Sequence, residues 1–332
     1  MPSGAAVNIQ GTLHVDRWLT TFSSNFVQDA RQFIATRAAS VIPVLKQTDA
    51  YVTYDRGYFW RDEAQPRPLA GRPVQVGYKV GSDTYNATEY ALEHVVDDRQ
   101  RANVDDPIRL DEAATTLLTQ KLMIKQDRLW CQRFFKPGVW TTNIVGINST
   151  PVGGSTVLRW NNANSTPIED IDLLRDLVQQ QTGFMPNTMV LGAAVRRFLR
   201  SHPDIADRIK YTQTGIADED VIGKLFEIDN VVVARSVYNA AAEGAADNFT
   251  FIADQKGLWL GYIDPNPGLD SPTAIANFAW TGLIPGVTNT LGGVVERGRD
   301  DRAHSDYFQG RMAFDLKQVS ADLGVFVSNV IT

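Results

Sequence analysis

"STPIEDIDLLRDLVQQQTGFMPNTMVLGAAVRRFLRSHPDIADRIKY", residues 165–211, carries the decision about the fold. Thr166-Pro167-Ile168-Glu169 has the form of a capping box with proline at the first helical position. The helix it opens has apolar residues at Ile168, Ile171, Leu174 and Val178, and it stops at Gly183, a residue suited to a left-handed helix end. A short apolar strand, Thr188 to Leu191, follows. An Arg-rich helix then closes on His202-Pro203-Asp204. The stretch has two readings: His202 beside Asp204 as a catalytic pair, or a rigid surface that other chains pack against.

Local chemistry favours the second reading. Pro203 ends the preceding helix, so His202 is its C-terminal residue, where an imidazole suits the helix dipole. Asp204 then caps the next turn, Ile205 to Tyr211. Catalytic signatures are missing from the sequence: it has no Gly-x-Ser-x-Gly elbow, phosphate loop, dinucleotide glycine fingerprint or His-Glu-x-x-His helix. The four histidines, His14, His94, His202 and His304, lie far apart with no partner at metal-ligand spacing. Cys131, beside Trp130, reads as a buried inert thiol. No catalytic, cofactor-binding or metal-binding residue is assigned, and no cofactor is expected.

Composition bounds the rest. The 332 residues are 43% hydrophobic and 21% charged, which is ordinary globular usage. The net charge of −6 argues against a protein that coats nucleic acid, although not against one that encloses it. The start "MPSGAAVNIQGTLHVDRW" lacks the pattern of a signal peptide, and no segment approaches the length of a membrane span. A single cysteine excludes an internal disulfide framework and fits a chain made in a reducing cytosol. The 32 basic residues divide into 23 Arg and 9 Lys, a bias that suits inter-chain contacts but also follows from a GC-rich genome.

Working outward, residues 1–50 read as an arm, with Pro43 barring helix before Val44-Leu45. Residues 51–60 are rich in strand formers, residues 64–77 in proline and glycine, and Tyr78 to Tyr90 returns as strand. Together they predict a two-stranded projection with a proline-stiffened tip. A helix runs from Asp105-Asp106-Pro107 to Lys136-Pro137-Gly138, about 40 Å long at 1.5 Å per residue, with Leu110, Ala114, Leu117, Leu118, Leu122 and Leu129 on one face. Strands are expected at Val231–Ala234, Phe249–Ala253 and Leu258–Tyr262, the last two joined by a hairpin at 254–257. The tail alternates Met312, Phe314 and Leu316 against Ala313, Asp315 and Lys317, then reads as strand from Leu323 to Val330. "ERGRDDRAHSD" (296–306) and "DDRQRANVDDPIRLDE" (97–112) mix both signs of charge. That suits a solvated loop, or one salt-bridged across subunits, better than a phosphate site.

This order of elements resembles the tailed-bacteriophage major capsid protein, whose shell fold is shared with herpesvirus capsids and encapsulins. "IATRAASVIPVLKQTDAYVTYDRGYFW" (34–60) resembles the passage from arm to projection, residues 165–211 resemble the middle of phage capsid chains, and "NFTFIADQKGLWLGYIDP" (248–265) resembles the strand pair that follows. The resemblance implies an α+β fold with an N-terminal arm (1–50), an extended β loop (51–95), a peripheral domain (96–162) with a long spine helix (105–136), an axial domain (163–285), and return strands of the peripheral domain (286–332). It implies pentamers and hexamers of this chain in an icosahedral head shell enclosing double-stranded DNA without sequence-specific binding, and no membrane. A separate scaffolding protein, a portal and a decoration protein are the expected partners. The chain would be synthesised in host cytoplasm and end in the virion. Some relatives weld subunits through a loop lysine, but here the loop offers only Lys79, poorly placed for that chemistry. The alternatives are an encapsulin-like compartment, a soluble enzyme with a site around Asp170, His202 and Arg208, and a binding module.

Overall fold

The computed structural model describes residues 28–332 apart from 55, 68, 70, 104–109, 152–153, 210–218 and 284–292. From the N-terminal side come β1 (Ser40–Val44), β2 (Thr48–Tyr54), α1 (Arg56–Phe59), β3 (Val80–Asn86), β4 (Thr88–Asp97), α2 (Asp98–Asn103) and α3 (Leu110–Phe134). The middle holds β5 (Thr142–Ile147), β6 (Thr156–Leu158), α4 (Pro167–Thr182), β7 (Thr188–Gly192), α5 (Ala193–Ser201), α6 (Pro203–Ile209), α7 (Glu219–Leu225) and β8 (Asn230–Ala234). Then follow β9 (Val237–Asn239), β10 (Phe249–Phe251), β11 (Leu258–Gly261), β12 (Ile275–Trp280), β13 (Gly293–Asp300), β14 (Ser305–Gln318) and β15 (Gly324–Ser328). The class is α+β, as expected.

A six-stranded sheet in the order β6-β5-β15-β11-β7-β8 forms the centre. Its middle strands read Met189-Val190-Leu191, Leu258-Trp259-Leu260 and Val325-Phe326-Val327, uninterrupted apolar runs buried on both faces. Successive side chains point to opposite faces. Met189, Leu191, Leu258, Leu260, Val325 and Val327 therefore meet Ile168, Ile171, Leu174 and Val178 of α4 and Val195 and Leu199 of α5. Val190, Trp259 and Phe326 face the other way, onto Trp130, Phe134 and Phe135 at the end of α3. The second sheet has the order β1-β12-β14-β13, with β4 also on β14.

The two sheets do not follow sequence blocks. Strands β5, β6 and β15, from segments assigned to a peripheral domain, lie in the six-stranded sheet with β7, β8 and β11, while β12 lies in the other sheet.

Helix α3, 25 residues and about 37 Å long, is buried at Ala114, Leu118, Leu122, Gln126, Trp130 and Phe134. Four residues turn a helix by about 40° beyond one full revolution, so this line of contacts winds around the rod. Its N-terminal part packs with Val96 and Phe308, and its C-terminal part joins the aromatic core. Of the residues expected on one broad face, Ala114, Leu118 and Leu122 are buried and Leu110 and Leu129 pack against the core, while Leu117 is exposed. The start expected at 105–107 lies outside the described residues.

Several other expectations are corrected. Thr166 precedes α4 without a side-chain capping bond; proline at N1 and Gly183 at the other end (φ 74°) are as expected. Residues 254–257 do turn, but β10 pairs with β9 while β11 pairs with β7 and β15, so the turn joins different sheets and no hairpin. The strand expected over 51–60 ends at Tyr54 and gives way to α1. Pro43 sits inside β1, an edge strand beside β12, where the missing N–H costs no ladder bond. In β14, Ala313 and Asp315 are buried along with Met312, Phe314 and Leu316, because this strand has neighbours on both sides and packing on both faces.

The arm is corrected in part as well. Phe33, Ile34, Ala35, Ala38 and Ala39 are buried within the chain itself. Asp127 of α3 accepts the backbone N–H groups of Ile34 (2.7 Å) and Ala35 (2.8 Å), and the Trp130 indole donates to the Ala38 carbonyl (3.1 Å). These bonds fasten residues 34–38 to the spine helix. Residues 1–27, with Phe22 and Phe26, lie outside the described set.

Candidate assembly surfaces

His202 is engaged through both ring nitrogens. It is buried directly after α5; its Nε2 lies 3.0 Å from the Ser165 hydroxyl, and its Nδ1 accepts the backbone N–H of Asp204 at 3.3 Å. The imidazole itself caps the first turn of α6, a role the sequence reading gave to Asp204. The Asp204 carboxylate instead faces Arg208 at 3.9 Å. Asp170 accepts from the Trp160 indole at 2.8 Å, and burial raises its carboxyl above the usual range. Asp170, His202 and Arg208 are each engaged with a different partner. Cys131 is buried, with burial and the nearby Asp127 pushing its thiol well up.

The projection is built from its base outward. β2 and β3 pair antiparallel from Thr48↔Asn86 to Tyr54↔Val80. At the base, Tyr85 stacks on Phe278 (centroids 4.6 Å apart), and Tyr51 leans on the same ring at 5.1 Å. The Tyr51 hydroxyl donates to Asp83 at 2.8 Å; burial, with Asp83 beside it, raises the Tyr51 pKa. This end of the ribbon is anchored in the body. Further out, Trp60 lies over Gly183, where an added Cβ would come within 2.7 Å of the indole. Beyond that the loop is open. Phe59, Leu69, Val74, Val76 and Tyr78 are exposed apolar side chains, with Arg61, Arg67 and Arg72 exposed among them. The tip holds its shape through an Arg67 Nε bond to the Gly71 carbonyl (2.6 Å) and a Phe59–Tyr78 ring contact at 5.6 Å.

The two mixed-charge segments turn out to be partners. Arg101 reaches Asp111 (2.8 Å) and Asp306 (2.9 Å), and Arg297 reaches the same two carboxylates at 3.0 and 2.7 Å. Arg299 pairs with Asp98 at 2.6 Å and with Asp306 at 3.2 Å. Asp98, Arg101 and Asp111 are thus laced to Arg297, Arg299 and Asp306 within one chain. Arg297 and Arg299 hold the Asp306 carboxyl below its ordinary range, and Arg299 does the same for Asp98.

One further surface was missed in the sequence. β9 and β10 form a small ribbon in which Tyr238 pairs with Thr250, while Val237 and Asn239 pair with Phe251 and Phe249. Arg128 of α3 sits over the Tyr238 ring at 4.5 Å, so that face packs inward and Phe249 and Phe251 point out. The sequence reading gave a strand at Phe249–Ala253 and assigned its phenylalanines to neither face.

Comparison with known proteins agrees with this architecture. Residues 155–278 match the family model described as phage major capsid protein E. The chain is 24% identical over 225 residues, 68% of its length and 70% of the relative's, to the major capsid protein of Burkholderia phage BcepMu. In structure it resembles a phage-related protein from Bordetella bronchiseptica RB50 (TM-score 0.66, 20% identity, 96% of this chain and 98% of that one). It also resembles the capsid protein of cyanophage P-SCSP1u (TM-score 0.53, 10% identity, 89% and 88%). In sequence match the chain is similar to phage major capsid proteins, and in fold it is similar to a phage capsid structure, which supports a structural, shell-forming role.

Proposed function

We propose that this chain assembles as pentamers and hexamers into the icosahedral head shell around the double-stranded DNA of a tailed phage. One observation carries the reading beyond the family likeness. The loop tip exposes aromatic and aliphatic side chains on a shaped, anchored projection that a lone subunit has no use for, and contiguous apolar patches of this kind mark interfaces. Arginines at the tip add directional pairing. The element order supports an arm, an extended loop over 51–95, a spine helix, and axial elements around α4, α5 and β7. Residues 182–211 then serve as packing surface with His202 in a structural role, and no catalytic activity is needed. A separate scaffolding protein would guide closure, a portal would occupy one vertex, and a decoration protein would bind outside.

Sedimentation and negative-stain imaging of the chain co-expressed with its scaffold should give closed particles of very large mass. A stable monomer whose turnover of any substrate drops on His202→Ala would sink the reading. An encapsulin-like compartment is the second reading, since it would have the same fold. The sequence matches to phage capsid proteins favour the first. Particle contents decide between them: packaged DNA supports a phage head, and protein cargo without nucleic acid supports the compartment.

A further inference from the structure

We infer that the proline-rich loop tip of one copy docks on the outward Phe249–Phe251 face of the β9–β10 ribbon of an adjacent copy. This rests on the shell reading and assigns the seat that the loop occupies. The ribbon is held rigidly for such a role. Its inner face is pinned by Arg128 over Tyr238. The Gln28 side chain closes one edge, donating to the Val237 carbonyl (2.7 Å) and accepting its N–H (2.9 Å). What remains is a preset platform with Phe249 70% and Phe251 48% exposed. Preorganisation of this kind lowers the cost of association.

The occupant is identified by charge as well as by apolar match. Residues 56–79 of the loop hold five basic residues against two acids. Residues 237–254 of the ribbon hold Glu243, Asp247 and Asp254 and no basic residue. Arg67 and Arg72 lie in the same exposed stretch as Leu69, Val74 and Val76, and the exposed Glu243 and Asp247 lie in the connection that leads into Phe249 and Phe251. Exposed apolar residues accompanied by opposite charge on the two surfaces favour this pairing over other partners. The two patches lie on different parts of the same chain, so the contact is head-to-tail. Contacts of that type build rings and extended nets from identical units.

The test begins with the wild type, which must form particles with its scaffold; failure there removes the shell reading and this inference with it. Glu243→Lys with Asp247→Lys should slow assembly by about tenfold or more, and Arg67→Glu with Arg72→Glu should do the same. A chain carrying all four reversals should regain most of the lost rate, because the pairing is restored with exchanged signs. Unassembled subunits of each variant are melted first, to show that the fold is kept. Separately, particles of a Leu69→Cys, Phe251→Cys chain treated with a short bis-maleimide should give a ladder of linked subunits that neither single variant gives. Wild-type assembly by the ribbon reversal, or no recovery in the four-fold chain, would overturn the proposal. So would the absence of the ladder in well-formed particles.

Discussion

The end of the spine helix and the outer part of the extended loop (residues 58–78) both gather large apolar side chains, and they are opposites. At the helix end, Trp130, Trp140 and Trp259 meet ring to ring at 5.4–5.9 Å, with Phe135 edge-on to Phe326 at 5.1 Å. Every one of these rings is buried. At the tip, side chains of similar character stand in water. The difference lies in what surrounds them. Around Trp130 the chain supplies two sheets and the arm, whereas the described residues of 61–79, rich in proline and glycine, form no helix or strand to fold back against. The first region stabilises the subunit, and the second has apolar surface left over for another chain.

That contrast is most sharply tested by truncating the core. Trp130→Ala should cost the isolated subunit about 3–5 kcal/mol, because it empties a large buried volume and removes the bond to the Ala38 carbonyl. Urea denaturation measures this, and a loss under about 1 kcal/mol would mean that the core closes over the gap.

Next comes Asp127, which links core and arm. Burial pushes its carboxyl up to about 6, partly offset by bonds from Ser236, Ala35 and Ile34. The folded state therefore holds this proton more tightly than the unfolded chain does. The contribution is fully present below the ordinary carboxylate value and is lost as pH rises through about 6, an effect on the order of 3 kcal/mol. Asp127→Asn keeps an oxygen for the two backbone N–H groups, so its stability should lose this slope between pH 4 and 7. A variant with the wild-type slope would place the titration elsewhere. Asp306 and Asp98 act with the opposite sign: their pairs with arginine stabilise above the ordinary carboxylate value and fade as pH falls below it.

Gly183→Ala should cost about 1 kcal/mol, from the left-handed backbone at φ 74°. The added methyl also displaces the Trp60 ring, so combining it with Trp60→Ala should remove any excess over that figure.

The smallest effect on the subunit is expected at the tip. Leu69→Ser with Val76→Ser should leave unfolding stability within about 0.5 kcal/mol of wild type while impairing assembly. Hydrogen exchange at 61–79 should be fast in free subunits and slow in shells. Equal protection in both states would erase the distinction between the two regions.

Local rules made the middle of the chain legible. The α4 face at Ile168, Ile171, Leu174 and Val178, the Gly183 stop and the β7 strand all follow from spacing within a few residues. Errors fell where distant packing decides. Residues 254–257 have hairpin chemistry, but β11 finds longer partners in β7 and β15. The β14 alternation misled because β4, β12 and β13 all pair with that strand and both of its faces are covered. The charge clusters were readable as mixed, but nothing local shows that residues 97–111 and 297–306 meet. Among the surfaces, the loop could be found from its composition. The ribbon could not, since exposure of Phe249 and Phe251 depends on where α3 lies.

The position of β15 has a consequence for how the subunit is made. Val325 pairs with Thr142 on one side and with Leu260 on the other, so this late strand separates β5 from β11 in the middle of the six-stranded sheet. While a ribosome is still translating the chain, β5–β6 and β11-β7-β8 are two fragments with raw edges facing an empty slot. Such edges are where chains misassemble, and pairings this distant in sequence form slowly. The sheet becomes continuous only once residues 324–328 have emerged. Nascent subunits therefore lack a finished body, and each needs protection, by chaperones or by dilution, until that strand is in place.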